Sequence, residues 1–255
     1  MRDVVTGFYI DVLKRLIAAG TVTTSDSVLV TCGGPLDERV MNQVGFTNFT
    51  ITNLDDGMAN HRQDAENLSC DDQTFDLVVV HAGLHHCQSP HRALLEMYRV
   101  ARKCVVAFEA RDSVMMRAAI RLGLTTDYEL EAVSQDFKSG GVSNGPIPNF
   151  IYRWTERDVR DTIASYDPAH VHKIEFFYDL RIPIQRFTST GNTVLQLLGL
   201  MVEPLSRIFA RLAPQQCNEF AFAICRTNVL QPWMESESLM SLSYATEHGR
   251  MYRPR

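Results

Sequence analysis

The sequence predicts an α/β protein built on a mostly parallel sheet with helices on both faces. Three observations lead there. Short apolar, β-branched runs recur at SVLVT (27–31), FTITN (49–53), FDLVVVHA (75–82) and CVVAFEA (104–110). Segments with apolar residues at three- and four-residue spacing separate them, which is the pattern of βαβ units. Each apolar run also ends in Gly, Asp or His residues, and ligands of such sheets bind beyond the carboxyl ends of the strands.

The elements follow in order. Val5, Phe8, Ile10, Val12, Leu13, Leu16 and Ile17 predict an amphipathic helix over 3–19 that stops at Gly20. A buried strand at 27–31 breaks at Cys32-Gly33-Gly34-Pro35, and 36–44 suits a short helix. The second strand, 49–53, ends at Leu54-Asp55-Asp56-Gly57, and the third is 75–82. Leu94, Leu95, Tyr98 and Val100 place a helix over 89–103, with Pro90 in its first turn. A strand at 104–110 and a helix at 113–122 follow.

The second half changes character. Residues 134–152 (SQDFKSGGVSNGPIPNFIY) are rich in Gly, Ser, Asn and Pro and predict a long loop of the kind that covers binding sites. Thr155 with Asp158 has the form of a helix start. HKIEFFYDL (172–180) and NEFAFAICR (218–226) read as strands, and a helical pattern of Leu195, Leu198, Val202, Leu205, Ile208 and Phe209 lies between them. That apolar helix, around 194–209, suits either a core or a homodimer contact. The chain from about 230 to 255 shows no period and is expected to be an irregular tail.

Composition narrows the function. The chain has 255 residues, 45% of them hydrophobic, enough for one α/β domain with elaborations. A formal charge of −5 and the lack of a basic run argue against nucleic acid as a partner. Acidic residues interrupt the N-terminal apolar positions, so no secretory core or membrane span is expected there. The six cysteines, at 32, 70, 87, 104, 217 and 225, include no CxxC pair and fit neither a disulfide scaffold nor a zinc knuckle. A reducing cytoplasm is the simplest setting for them.

Candidate ligand-binding residues cluster after the strands. Cys32, Gly33 and Gly34 could let backbone amides approach a ligand, although a glycine pair there also serves as a plain turn. Asp55 suits a bidentate hydrogen bond to ribose hydroxyls. In Asp64-Ala65-Glu66, a carboxylate could accept from an exocyclic amine.

Five features agree in order and spacing: Asp64-Ala65-Glu66-Asn67-Leu68, Phe75-Asp76, Leu84-His85-His86, Glu96, and Arg99-Val100. Over residues 25–112 the chain resembles the small-molecule branch of class I S-adenosylmethionine-dependent methyltransferases. The resemblance implies a Rossmann-like, mostly parallel seven-stranded sheet flanked by helices, with S-adenosylmethionine as cofactor and a lid-like insertion at about 124–155. Residues 1–24 would be an N-terminal helix ahead of a single domain, 25–255. Gly33 and Gly34 would cradle the methionine end of the cofactor. Asp55 would take the ribose with Leu54 beside the adenine, Asp64 and Ala65 would bind the adenine amino group and edge, His81 would line the pocket, and Asn53 and Glu66 are further cofactor-binding candidates. The usual D/E-x-G-x-G-x-G signature is altered here, with Val30 in place of the acid and a glycine missing. Asp37 or a backbone carbonyl would then receive the cofactor's amino group.

Histidine is the natural base for removing a hydroxyl proton near neutral pH. His85 and His86, with Glu109 and Asp112 after the next strand, are the candidate catalytic groups. Asn144, Tyr152, Arg153 and Trp154 are candidates for holding a sugar, glycan-like or other small-molecule acceptor, with no prosthetic metal. Methylation at nitrogen or carbon, or a non-catalytic Rossmann-like binding module, are the competing readings. His170 and His172 lack a third ligand partner and are expected to be structural.

Overall fold

The computed structural model describes residues 6–59, 61–134, 136–182, 204–206 and 208–248. Its first half alternates strands and helices: α1 (Gly7–Ala18), β1 (Val28–Thr31), α2 (Pro35–Val44), β2 (Phe49–Asn53), β3 (His61–Arg62), β4 (Phe75–His81), α3 (Pro90–Val100), β5 (Ala101–Ala110) and α4 (Val114–Arg121). The second half adds α5 (Glu156–Tyr166), β6 (Lys173–Asp179) and β7 (Glu219–Cys225). One seven-stranded sheet has the order β3-β2-β1-β4-β5-β7-β6. Strands β1 to β5 pair in parallel, while β7 runs antiparallel to both β5 and β6. This is the expected Rossmann-like α/β sheet.

Strand alternation divides the core into two layers. On one face Val28, Val30, Leu77, Val79, Val106 and Ala223 pack beneath α1 and α2 through Tyr9, Leu13, Leu16, Val40 and Met41. On the other, Leu29, Val78, Val80, Val105 and Phe222 meet α3 and α5 through Leu94, Met97, Tyr98, Val159 and Ile163. The N-terminal helix is thus part of the main core. Thr155 caps α5 as anticipated, its hydroxyl accepting from the Asp158 amide while Asp158 reaches back to the Thr155 amide at 2.9 Å.

Several expectations shift. The helix over 89–103 ends at Val100, and β5 begins at once with Ala101, opposite Phe75. Arg102 and Lys103 belong to the strand, where Arg102 meets Asp76 at 2.9 Å and Lys103 meets Asp26 at 2.8 Å. The tail is not irregular throughout: β8 (Met234–Ser236) and β9 (Leu239–Met240) form a hairpin, and Leu242–His248 is helical. These elements are too short to leave a period in the sequence. The antiparallel register of β5 and β7 opposes Cys104 and Cys225, which are joined as a disulfide across 121 residues of chain. No spacing rule could have paired them. Of the helical pattern expected between β6 and β7, 204–206 and 208–212 are helical, whereas Leu195, Leu198 and Val202 lie outside the described residues. Among the described residues, no helix is long and apolar enough to cross a membrane.

Asp26 ties the start of β1 to β5. It is 5% exposed and accepts from the Thr23 amide at 3.0 Å, the Thr23 hydroxyl at 2.7 Å and Lys103. Burial alone would raise its pKa, but the hydrogen bonds from Lys103 and Thr23 prevail and hold it below its ordinary 3.8. A depressed folded-state pKa supplies stability above the unfolded value, and that stability is lost as pH falls through the folded value. Asp26→Asn is therefore expected to cost about 1–3 kcal/mol at neutral pH. In urea unfolding, the gap from wild type should close as the pH is lowered below about 4.

Candidate active site

The cleft lies beyond the carboxyl ends of β1, β2 and β4, has a volume of about 600 Å³, and is bounded by the loops after those strands and by Ala132 and residues 136–144. That size suits a nucleoside-sized ligand. Of the residues singled out for the cofactor, Cys32, Asn53, Leu54, Asp55, Asp64, Ala65 and Glu66 line it.

Each wall has an identifiable support. Asn53 links two of the loops, donating from Nδ2 to the Gly33 carbonyl at 2.9 Å and accepting from the Asp55 amide at 3.0 Å. Asp55 uses Oδ1 to accept from the Gly57 amide at 2.8 Å, which fixes its turn. Asp64 accepts from the Glu66 amide at 2.9 Å in the same manner. The 64–72 loop is clamped from α3: Glu96 accepts from the Leu68 amide at 3.0 Å, and Arg99 donates to Glu96, to the Leu68 and Cys70 carbonyls and to Asp72. The acid and arginine of the sequence pattern thus act by holding the Asp64 loop in place.

The glycine turn does less than expected. The Gly33 amide is taken by the Thr52 carbonyl at 2.9 Å and the Gly34 amide by Asp37 Oδ2 at 2.9 Å. Neither glycine lines the cleft. Gly34 borders a neighbouring depression together with Met58 and His61. Asp37 is buried against Tyr9 and His81, and burial pushes its carboxyl pKa up. His81 stacks flat on Tyr9 at 4.8 Å, beneath the cleft rather than on its wall. Glu66 lines the cleft, yet both its oxygens are engaged, accepting from the Gln88 and Ser89 amides at 2.9 Å.

The turn after β4 brings the catalytic candidates together. Glu109 Oε1 accepts from the Gly83 amide at 3.0 Å and the Leu84 amide at 2.8 Å, and Oε2 meets His85 Nδ1 at 2.7 Å. Burial disfavours a charge on His85, but the Glu109 carboxylate and then Glu129 outweigh it and push the imidazole up to about 10. His86 lines the cleft, and burial together with the neighbouring His85 lowers its pKa. Glu129, not singled out from the sequence, lies 3.5 Å from His85 Nε2 and 3.3 Å from His86 Nε2. The His85 hydrogen bond is the largest influence holding Glu129 down, to about 2.

Backbone strain collects here too. Cys32 (φ 52°), Ala82 (φ 51°), Ser143 (φ 50°) and Asn144 (φ 56°) all adopt the left-handed region and all line the cleft. Such conformations cost free energy and persist where the surroundings impose them, as they do at ligand sites.

Four candidates are placed elsewhere. Asp112 pairs with Arg117, accepting from its Nε at 2.9 Å. Arg153 is tied to Asp127 at 2.9 Å and to the Thr126 carbonyl at 2.7 Å, in the segment between α4 and α5. Trp154 is fully buried against Tyr152, His91 and Phe222 and offers no face to an acceptor. The Tyr152 hydroxyl contacts His91 Nε2 at 3.3 Å. Asn144 alone of the acceptor candidates lines the cleft, and it also accepts from the Gly140 amide at 3.0 Å.

Residues 32–106 match the family model described as a methyltransferase domain. Over that stretch the chain carries a methyltransferase domain. No curated protein sequence matches it. Among solved structures, a candidate methyltransferase from Bacillus halodurans C-125 is similar at 14% identity, covering 84% of this chain and 97% of that one, with a TM-score of 0.50. The YcgJ protein from Bacillus subtilis is similar at 10% identity, with 86% and 98% covered and a TM-score of 0.50. The plantazolicin methyltransferase BpumL, solved with a triazolic desmethyl analogue and SAH, is similar at 13% identity, with 89% and 86% covered and a TM-score of 0.50. These likenesses support the methyltransferase fold.

The methyltransferase cleft depends on a close approach at Gly83, where an added Cβ would fall 2.5 Å from Cys32 Cβ. Gly83→Ala must push the β1 and β4 turns apart. Overpacking of this kind costs about 1–3 kcal/mol. Calorimetry with S-adenosylhomocysteine is expected to show at least a tenfold weaker complex, alongside a lowered Tm.

Proposed function

We propose that this methyltransferase transfers a methyl group to a hydroxyl oxygen of a small, sugar-like acceptor, with His86 receiving the hydroxyl proton. The observation that carries the reading is the position of His86: it is the histidine on the cleft wall, backed by the buried Glu109–His85 pair. S-adenosylmethionine supplies the electrophilic methyl carbon. The acceptor oxygen forms its bond to that carbon as the carbon–sulfur bond breaks, sulfur keeps the electron pair, and the hydroxyl proton passes to the imidazole. An imidazole held at the right place can take up such a proton in the transition state.

The cofactor's groups find matching partners in the cleft. Asp55, with Oδ1 engaged by Gly57, offers its other oxygen to the ribose, and Leu54 beside it offers an apolar surface to the adenine. Asp64 and Ala65 meet the adenine edge. Asp37 lies beneath the cleft with Oδ2 on the Gly34 amide, which favours a backbone carbonyl of the glycine turn as the partner of the amino group. The polar residues Ser139, Ser143 and Asn144 on the facing wall suit an acceptor bearing several hydroxyls.

Calorimetry with S-adenosylmethionine tests the cofactor assignment. The wild type is expected to bind, and Asp55→Ala to lose roughly ten- to hundredfold in affinity, as removal of a charged hydrogen-bond partner does. Absence of binding to the wild type would leave a non-catalytic module. With a hydroxyl acceptor, His86→Ala is expected to lower kcat by about 10²–10⁴. Full turnover in both His85→Ala and His86→Ala would remove the histidine base and favour a nitrogen or carbon acceptor.

A further inference from the structure

Glu129 reaches the histidine turn from the insertion and adds a third donor to it. One ligand atom each from His85, His86 and Glu129 lie within 4.8 Å of one another. A tetrahedral cation with donors at about 2.0–2.2 Å holds them about 3.4 Å apart. The separations from Glu129 Oε2 to the two Nε2 atoms are 3.5 and 3.3 Å, so two edges of the tetrahedron are already formed. The third can close through the His86 ring, whose side chain is 31% exposed.

Surrounding groups reinforce the arrangement. Glu109 holds His85 Nδ1 at 2.7 Å, which sets the ring so that Nε2 faces Glu129. A carboxylate on the remote nitrogen is the usual support for a metal-binding histidine. Asn149, fully buried, donates to Glu129 Oε2 at 3.2 Å and steadies that carboxylate. Glu109 and Glu129 set two carboxylates against the two rings, and a divalent cation that takes the place of the proton between His85 and Glu129 matches them in charge. Two imidazoles and one carboxylate favour a borderline first-row ion over magnesium or calcium, and three protein donors leave one position open.

We propose that His85, His86 and Glu129 form a binding site for a divalent first-row cation, zinc by preference, where the β4 turn meets the insertion. The site stands apart from the acceptor reading above. One consequence rests on that reading: a bound cation takes the His86 Nε2 lone pair, so the occupied site cannot use His86 as the base.

The test is calorimetric titration of chelator-treated full-length protein with Zn²⁺, repeated with Co²⁺ and followed by visible absorption. One ion per chain is expected. Glu129→Gln and His86→Gln should each weaken zinc by tenfold or more, and Glu109→Gln by about 10–100-fold through the orientation of His85. Melting temperature and S-adenosylhomocysteine affinity show whether each variant is folded. Cys32→Ser and Cys87→Ser should bind zinc as the wild type does. The site is overturned if the wild type takes up no zinc, if folded Glu129→Gln and His86→Gln bind it undiminished, or if uptake disappears with the cysteines. Methyl transfer in chelator with no zinc uptake would sink the site and leave the acceptor reading intact. Zinc uptake without cofactor binding would do the reverse.

Discussion

Glu109 is the interaction on which the rest of the site depends. Its side chain is wholly buried at the end of β5, and a buried carboxylate is tolerated only when its oxygens are satisfied. Two backbone amides and the His85 imidazole satisfy it, and all three belong to the turn after β4. That turn is therefore drawn against β5. Ala82 is held with positive φ, Gly83 comes against Cys32, and His86 emerges on the cleft wall. One carboxylate thereby sets the spacing between the strand ends that form the cleft floor.

The remaining walls are assembled by links of the same kind between loops distant in sequence. Asn53 joins the β1 turn to the Asp55 loop, and Glu96 with Arg99 clamps the Asp64 loop from α3. Through Glu129, the segment after α4 contacts the histidine pair and completes a cluster of alternating acids and imidazoles. The strained residues lie where these segments converge, so the packing that imposes the strain also shapes the cleft.

Several motif residues have a structural part that their position in the pattern did not suggest. The Gly33 and Gly34 amides are consumed within the protein, Glu66 braces the entry to α3, and Asp112 is occupied by Arg117. Trp154 fills the core between α3 and β7 instead of facing a ligand, and Arg153 ties the ends of the segment between α4 and α5 together. In each case a nearby group of opposite charge or an unpaired backbone atom offered a partner that sequence spacing cannot reveal.

The sequence by itself determined the alternation of strands and helices, the positions of β1, β2, β4, β6 and β7 to within a residue or two, and the cleft-lining loops around Asp55 and Asp64. Those features are legible because hydrophobic periodicity and the chemistry of strand ends are local. Only the tertiary structure decided where α3 gives way to β5, since that boundary rests on pairing with β4 and on ion pairs to Asp76 and Asp26. It alone opposed Cys104 to Cys225, withdrew His81 and Asp37 beneath the cleft, separated the roles of His85 and His86, and brought in Glu129. Each of these depends on contacts between residues far apart in the chain, and on what burial and neighbouring charge do to a side chain once it is there.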